Sequence, residues 1–279
     1  MIVTIIGIGL IGGSMALCLR EKGLAARVVG VEANAAHAAK ALELGIVDEI
    51  LPLEEAIEIS DTVIVSVPVT TATKVVMTVL DKVKNQVVLD VGSTKADLCR
   101  EADLHPNRGR FVATHPMWGT EFSGPEAATI HAFAGKALVI CDQQKSDPDA
   151  LEMVENMYRS LGMHLLNMDS GMHDIHTAYI SHISHITSFA LANTVLEKER
   201  EEDAIFELAS GGFESTVRLA KSNADTWVPV FMQNKENVLD VLNEHITQLR
   251  KFKASLEKEN WDYLRELIEH ANKIKRILK

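Results

Sequence analysis

A doubly wound α/β domain followed by an all-α domain is the fold class this sequence predicts. Three observations point to it. A glycine-rich turn, Gly7-Ile8-Gly9-Leu10-Ile11-Gly12, follows a β-branched run at the N-terminus. Short β-branched runs then alternate with helical stretches, the pattern of a parallel sheet covered on both faces. After about Asp169 the strand signals stop, and the remaining residues read as helix almost throughout.

The expected strands are 2–6, 27–31, 62–67, 86–91, 110–113, 137–141 and 164–168. Between them, 10–22, 35–44, 71–83, 95–104 and 149–161 combine helical spacing with good helix formers. Composition puts a boundary between a nucleotide-binding domain, 1–168, and a helical domain, 169–279. In the latter, 172–199, 226–257 and 261–277 read as long helices. Helices of that length in so small a domain seldom find enough partners within one chain, so the expected assembly is a homodimer formed through the helical domain.

The formal net charge of −11 excludes nucleic acid as a partner, since phosphate binding needs a surplus of Lys and Arg on one face. Cys18, Cys99 and Cys141 are scattered and form no CxxC pair, which fits a reducing compartment and a cytoplasmic protein without disulfides or zinc. The uncharged run 1–19 is broken by glycines and lacks a basic leader. It reads as strand, turn and helix start, neither secretion signal nor membrane span.

The glycine turn has the context of a dinucleotide site: a strand before it, a helix after it, and an acidic residue, Glu32, twenty residues past Gly12. Gly7 serves the tight turn, Gly9 the close approach of a pyrophosphate, and Gly12 the packing of helix on strand. Glu32 at the end of the second strand can accept both hydroxyls of the adenosine ribose and would repel a 2′-phosphate, so NAD is expected over NADP. Ser66-Val67-Pro68 ends the third expected strand at the same sheet edge, beside a nicotinamide ribose or simply as a strand stop.

Polar groups gather in three further segments: Asp90 to Lys95, Thr114 to Glu121, and Ser181-His182-Ile183-Ser184-His185. Taken singly, Ser93 or Thr94 could cap a helix, His115 could be a loop histidine, and His182 with His185 could hold a metal were a third ligand at hand. Together with Gly211-Gly212-Phe213 and the following Arg218, these segments resemble, in order along nearly the whole chain, the prephenate/arogenate dehydrogenase family of tyrosine biosynthesis. The most specific element is His115-Pro116-Met117-Trp118-Gly119-Thr120-Glu121.

The resemblance implies NAD-dependent oxidative decarboxylation of a cyclohexadienyl acid: prephenate, or alternatively arogenate. It implies His115 as the base for the ring hydroxyl, with Ser93 either bonding that hydroxyl or orienting the imidazole. Arg218 would anchor a carboxylate through its planar fork, with Ser181, His182, His185, Glu121 and Trp227 lining the substrate. Ser215 and Val217 depart from the family pattern beside Arg218, which bears on side-chain selectivity. Two other readings compete. One is a β-hydroxyacid dehydrogenase or imine reductase, but the lysine spacing of the hydroxyacid group is missing. The other is an NAD-sensing dimer without chemistry, which would have no need of His115, Ser93 and Arg218 at once.

Overall fold

A computed structural model describes residues 1–199 and 210–277. Its elements in chain order begin with β1 (Ile2–Ile6), α1 (Leu10–Glu21), β2 (Arg27–Val31), α2 (Ala35–Glu43), β3 (Glu49–Ile50), α3 (Leu53–Ile59), β4 (Thr62–Val65) and α4 (Val69–Leu80). There follow β5 (Val87–Asp90), α5 (Ala96–Ala102), β6 (Phe111–Pro116), β7 (Ala137–Cys141), α6 (Pro148–Ser160) and β8 (His164–Met168). The strands form one sheet in the order β3-β2-β1-β4-β5-β6-β7-β8. All neighbours are parallel except β6 and β7, which run antiparallel.

Alternate residues of the central strands feed two cores. Val3, Ile5, Ile64, Leu89 and Val112 pack on one face with Met15, Leu19 and Tyr158. Ile6, Val63, Val65, Val88 and Phe111 pack on the other with Val76, Leu80 and Leu98. Both faces are dry, so these strands read in sequence as near-continuous apolar runs. The winding reverses between β1 and β4, and the carboxyl edge there is where an open α/β sheet binds its ligand. Gly7, Ser66, Gly92 and His115 all lie on or just beyond the carboxyl ends of parallel strands.

The expected elements are present with shifted ends, and β3 with α3 was not foreseen. β3 is only two residues long, too short for an alternation signal. α4 starts at Val69 instead of residue 71, directly after Pro68, whose fixed φ suits a helix entrance.

The helical part holds α7 (Ser170–Thr177), α8 (Ile183–Glu199), α9 (Gly211–Val217), α10 (Ala224–Gln233), α11 (Lys235–Glu257) and α12 (Trp261–Ala271). Three corrections apply here. The helix expected over 172–199 is α7 and α8 joined by a π-helical turn, Ala178–His182. That over 226–257 is α10 and α11, parted at Asn234. That over 261–277 is α-helical only to Ala271 and continues as a 3₁₀ turn. The chain forms two compact units, Met1–Asn234 and Lys235–Lys279. In the first, α7 packs on α5 and α10 on α4; in the second, α11 packs on α12. Among the described residues no helix is long and apolar enough to cross a membrane.

Candidate active site

The glycine turn is shaped as its three tasks require. Gly7 has φ +88°, and a Cβ there would run into the Ser66 carbonyl. A Cβ on Gly12 would strike the Gly7 carbonyl, whereas one on Gly9 would meet nothing within 4 Å. Gly9 therefore faces the space that a pyrophosphate needs, and no side chain caps the start of α1, whose first N–H groups remain available to an anion. Ile8 is fully buried in the core and anchors the turn, while Leu10 and Ile11 remain partly exposed. Ser66 and Val67 abut Gly7 and Gly12, and Pro68 opens α4.

Glu32 is already tied into this turn: Oε2 accepts the Ile8 N–H at 2.8 Å and Oε1 the Asn34 N–H at 2.9 Å. Each oxygen keeps a second acceptor site for a ribose hydroxyl. The residues present thus fit an NAD molecule at Gly7 to Gly12, Glu32 and Ser66 to Pro68.

On the same edge, β6 presents His115, partly exposed, with Nδ1 2.8 Å from Nε2 of His173 on α7. His173 Nδ1 lies 2.7 Å from Asp174 Oδ1. The Asp174 carboxylate also accepts the N–H of Lys95 at 2.8 Å and of Ala96 at 2.9 Å, so it caps α5 as well. Beneath this row Lys95 forms a fully buried ion pair with Asp90. Burial lowers the pKa of His115 well below the ordinary imidazole value, helped by His173, Lys95 and His182, and keeps the ring neutral. Burial likewise lowers His173, although the Asp174 carboxylate works against it.

The π-helical turn carries Ser181 and His182 and leads to His185 one turn further on. Ile183 N–H bonds to the Ala178 carbonyl, five residues back. His182 is buried, and its Nδ1 lies 3.1 Å from the Asn234 amide nitrogen, which also donates to the Asp174 carbonyl at 2.7 Å. Burial depresses its pKa to about 4. His185 donates from Nδ1 to the Ser181 carbonyl at 3.0 Å, and its ring stacks on Trp227 with centroids 3.4 Å apart. Its pKa is lowered too, first by burial. Arg218 reaches back to Glu121, Nη1 to Oε2 at 3.1 Å.

Most of the expected site residues therefore fall into two groups, Gly7 to Pro68 around the turn and His115 to Trp227 around the helices. The group bonded to the His115 ring is His173, at 2.8 Å, and Ser93 lies half-buried just past β5. Among the described residues no three His, Cys, Asp or Glu side chains are grouped for a metal ion.

Residues 15–167 match the family model described as prephenate dehydrogenase, nucleotide-binding domain, and residues 169–270 that described as prephenate dehydrogenase, dimerization domain. The chain belongs to the prephenate dehydrogenase family. It is similar to the prephenate dehydrogenase of Bacillus subtilis, with 31% identity over 92% of this chain and 71% of that protein. It also resembles the crystal structure of prephenate dehydrogenase from A. aeolicus in complex with hydroxyphenyl propionate and NAD+. There the TM-score is 0.89 at 31% identity, covering 99% of this chain and 97% of that one. Synechocystis arogenate dehydrogenase shares the fold, with a TM-score of 0.80 at 24% identity over the whole of both chains. The nucleotide-binding model begins at residue 15, so the reading of the turn before it rests on its geometry.

The sequence alone assigns no role to His173, Asp174 or Asn234 and brings in Lys95 only as the end of the Asp90 to Lys95 segment. A usable signal was present: an Asp169 cap starts α7 just past β8, and the adjacent His173-Asp174 pair follows one turn later. His176, also without a role, is exposed.

Proposed function

We propose that this chain catalyses the NAD-dependent oxidative decarboxylation of prephenate to 4-hydroxyphenylpyruvate. The observation that carries the reading is the convergence on one sheet edge of the Gly7 to Gly12 turn and a neutral, internally bonded His115. A hydride acceptor and a base are the two things the reaction requires.

NAD, when bound, supplies the hydride acceptor, and the chain's residues handle the proton and the charges. Gly9, the start of α1 and Glu32 hold the dinucleotide. His115 takes the proton of the ring hydroxyl at Nε2 as the hydroxyl-bearing carbon gives up its hydride. Loss of carbon dioxide from the opposite carbon leaves its electron pair in the ring, and the same proton returns to the ring oxygen, completing the phenol. Ser93 bonds the reacting hydroxyl. Arg218 anchors a substrate carboxylate, and Ser181, His182, His185, Glu121 and Trp227 bound the site.

On this reading residues 1–168 are the NAD-binding domain and the helical residues 169–279 the substrate and dimerisation domain. Exposed apolar side chains on α11 and α12, among them Leu249, Leu256, Trp261 and Ile268, support a homodimer through that domain. Three free, buried cysteines fit a cytoplasmic setting.

The experiment is the initial rate of NADH formation with purified protein, NAD, and prephenate or arogenate in parallel, alongside His115→Asn. Turnover of prephenate, lost by about a hundredfold or more in the variant while NAD still binds, is the expected result. Preference for arogenate would replace the substrate; silence with both, or an active His115→Asn enzyme, would defeat the reading.

A further inference from the structure

A carboxylate can only accept hydrogen bonds, and this fact propagates along the row Asp174, His173, His115. Asp174 receives three N–H groups: from Lys95 and Ala96 at the start of α5, and from Nδ1 of its neighbour His173. His173 must therefore carry its proton on Nδ1. Being 1% exposed, it stays neutral, so its Nε2 bears a lone pair. That lone pair lies 2.8 Å from His115 Nδ1, which must then be the protonated nitrogen of His115. The remaining nitrogen, Nε2, is left with the only free lone pair.

We infer that the His173–Asp174 dyad is the positioning device for the reaction: it fixes the His115 tautomer with a basic Nε2 and stabilises the imidazolium formed when that nitrogen takes the substrate's proton. The inference rests on the reading of His115 as base and deepens it. When His115 gains a proton, the positive charge is shared through Nδ1–H and His173 toward the Asp174 carboxylate. The Asn234 amide, bonded to the Asp174 carbonyl at 2.7 Å, helps hold the helix turn on which the dyad sits. The other groups facing these rings are the buried Lys95 with its partner Asp90, and His182. Lys95 and His182 disfavour charge on His115, as a charged His173 would, so the dyad stabilises the imidazolium by keeping His173 neutral and its Nε2 lone pair turned to the Nδ1–H of His115.

The test compares wild type, Asp174→Asn, His173→Gln, His173→Leu and His115→Asn in steady-state kinetics with prephenate and NAD, with NAD titration and circular dichroism to confirm folding. In the dyad variants kcat falls by about tenfold to a hundredfold, a share of what general-base assistance supplies, while KM for prephenate and the NAD affinity move less than about threefold. His173→Gln, whose amide oxygen can still accept from His115, retains more kcat than His173→Leu. The decisive readout is the acid limb of kcat against pH. Removing the Asp174 charge makes the imidazolium harder to form and moves the limb to lower pH. A merely structural loosening would admit water, ease the desolvation of His115 and move it to higher pH.

Full kcat in His173→Leu, or an acid limb in Asp174→Asn that stays in place or rises, would overturn the inference. If Asp174→Asn does not fold, having lost a cap on α5, the His173 pair decides through the split between kcat and KM. An unimpaired His115→Asn enzyme would sink the base reading itself; its loss beside intact dyad variants would sink the relay alone.

Discussion

Lys95 and Asp90 form an ion pair from which water is excluded, their side chains 0% and 1% exposed. The Asp90 carboxylate takes two further hydrogen bonds, from the N–H of Gly92 at 2.9 Å and of Thr114 at 3.3 Å. Lys95 is thus the counter-charge on which this buried carboxylate depends. Lys95→Met strands that charge and is expected to cost about 3–5 kcal/mol of stability, as for other buried pairs that lose one partner. Urea unfolding measures it, and adding Asp90→Asn should restore part of the loss. A cost under about 1 kcal/mol would mean that the pair is worth no more than a solvated one.

Gly7 and Gly9 should separate folding from binding. Gly7→Ala forces an L-residue into a left-handed conformation against the Ser66 carbonyl, so both stability and NAD affinity should fall, the first by about 1–3 kcal/mol. Gly9 has φ −92° and open space around it. Gly9→Ala should melt like the wild type yet bind NAD about tenfold or more weakly, a loss of some 1.4 kcal/mol. Calorimetric titration beside thermal melts would expose the opposite pattern.

The Arg218–Glu121 pair predicts opposite effects for its two members. Loss of the guanidinium in Arg218→Ala should raise KM for prephenate by about tenfold to a hundredfold, the value of a hydrogen bond to a charged group. Glu121→Gln removes a competitor for that guanidinium and should leave KM unchanged or lower it. An increase in both would place Glu121 among the groups that hold Arg218 in position.

Stability should decline in mild acid. His115, His173, His182 and His185 all have folded pKa values below the ordinary 6.5, each chiefly through burial. Below that value the unfolded chain takes up protons that the folded chain refuses, so stability present at neutral pH is lost as pH falls. For His182 the window runs from 6.5 down to about 4, and this residue alone accounts for about 1.4 kcal/mol per pH unit within it. Urea midpoints at two pH values, with His182→Gln as comparison, should give a flatter dependence in the variant.

The parts of this molecule legible from sequence are those that local physics determines. The Gly7 to Gly12 turn announces itself because backbone sterics permit little else at Gly7 and Gly12, and the strands do so because both sheet faces are apolar. β3 escaped notice because two residues, Glu49 and Ile50, carry no periodicity. The break between α10 and α11 escaped because no glycine marks it, and Pro229 lies inside α10 instead. What ends α10 goes with long-range bonds: Gln233 to Thr94 and Val69, Asn234 to Asp174 and His182. His173 was opaque for the same reason. Its meaning lies in a bond to a residue 58 positions away, which no local pattern encodes.

The π-helical turn has a further consequence. An α-helix advances about 100° per residue, so one residue accommodated in the wider turn rotates everything after it by about that angle relative to everything before. His173 and Asp174 precede the turn, and His185 follows it. Winding the same residues as regular α-helix would let α7 and α8 run on as one rod and carry His185 about 100° around it from its present place relative to His173. The proton-handling side of that rod and its aromatic side would then point in different directions. The irregular turn is where the chain trades a tidier helix for the relative facing of His173 and His185.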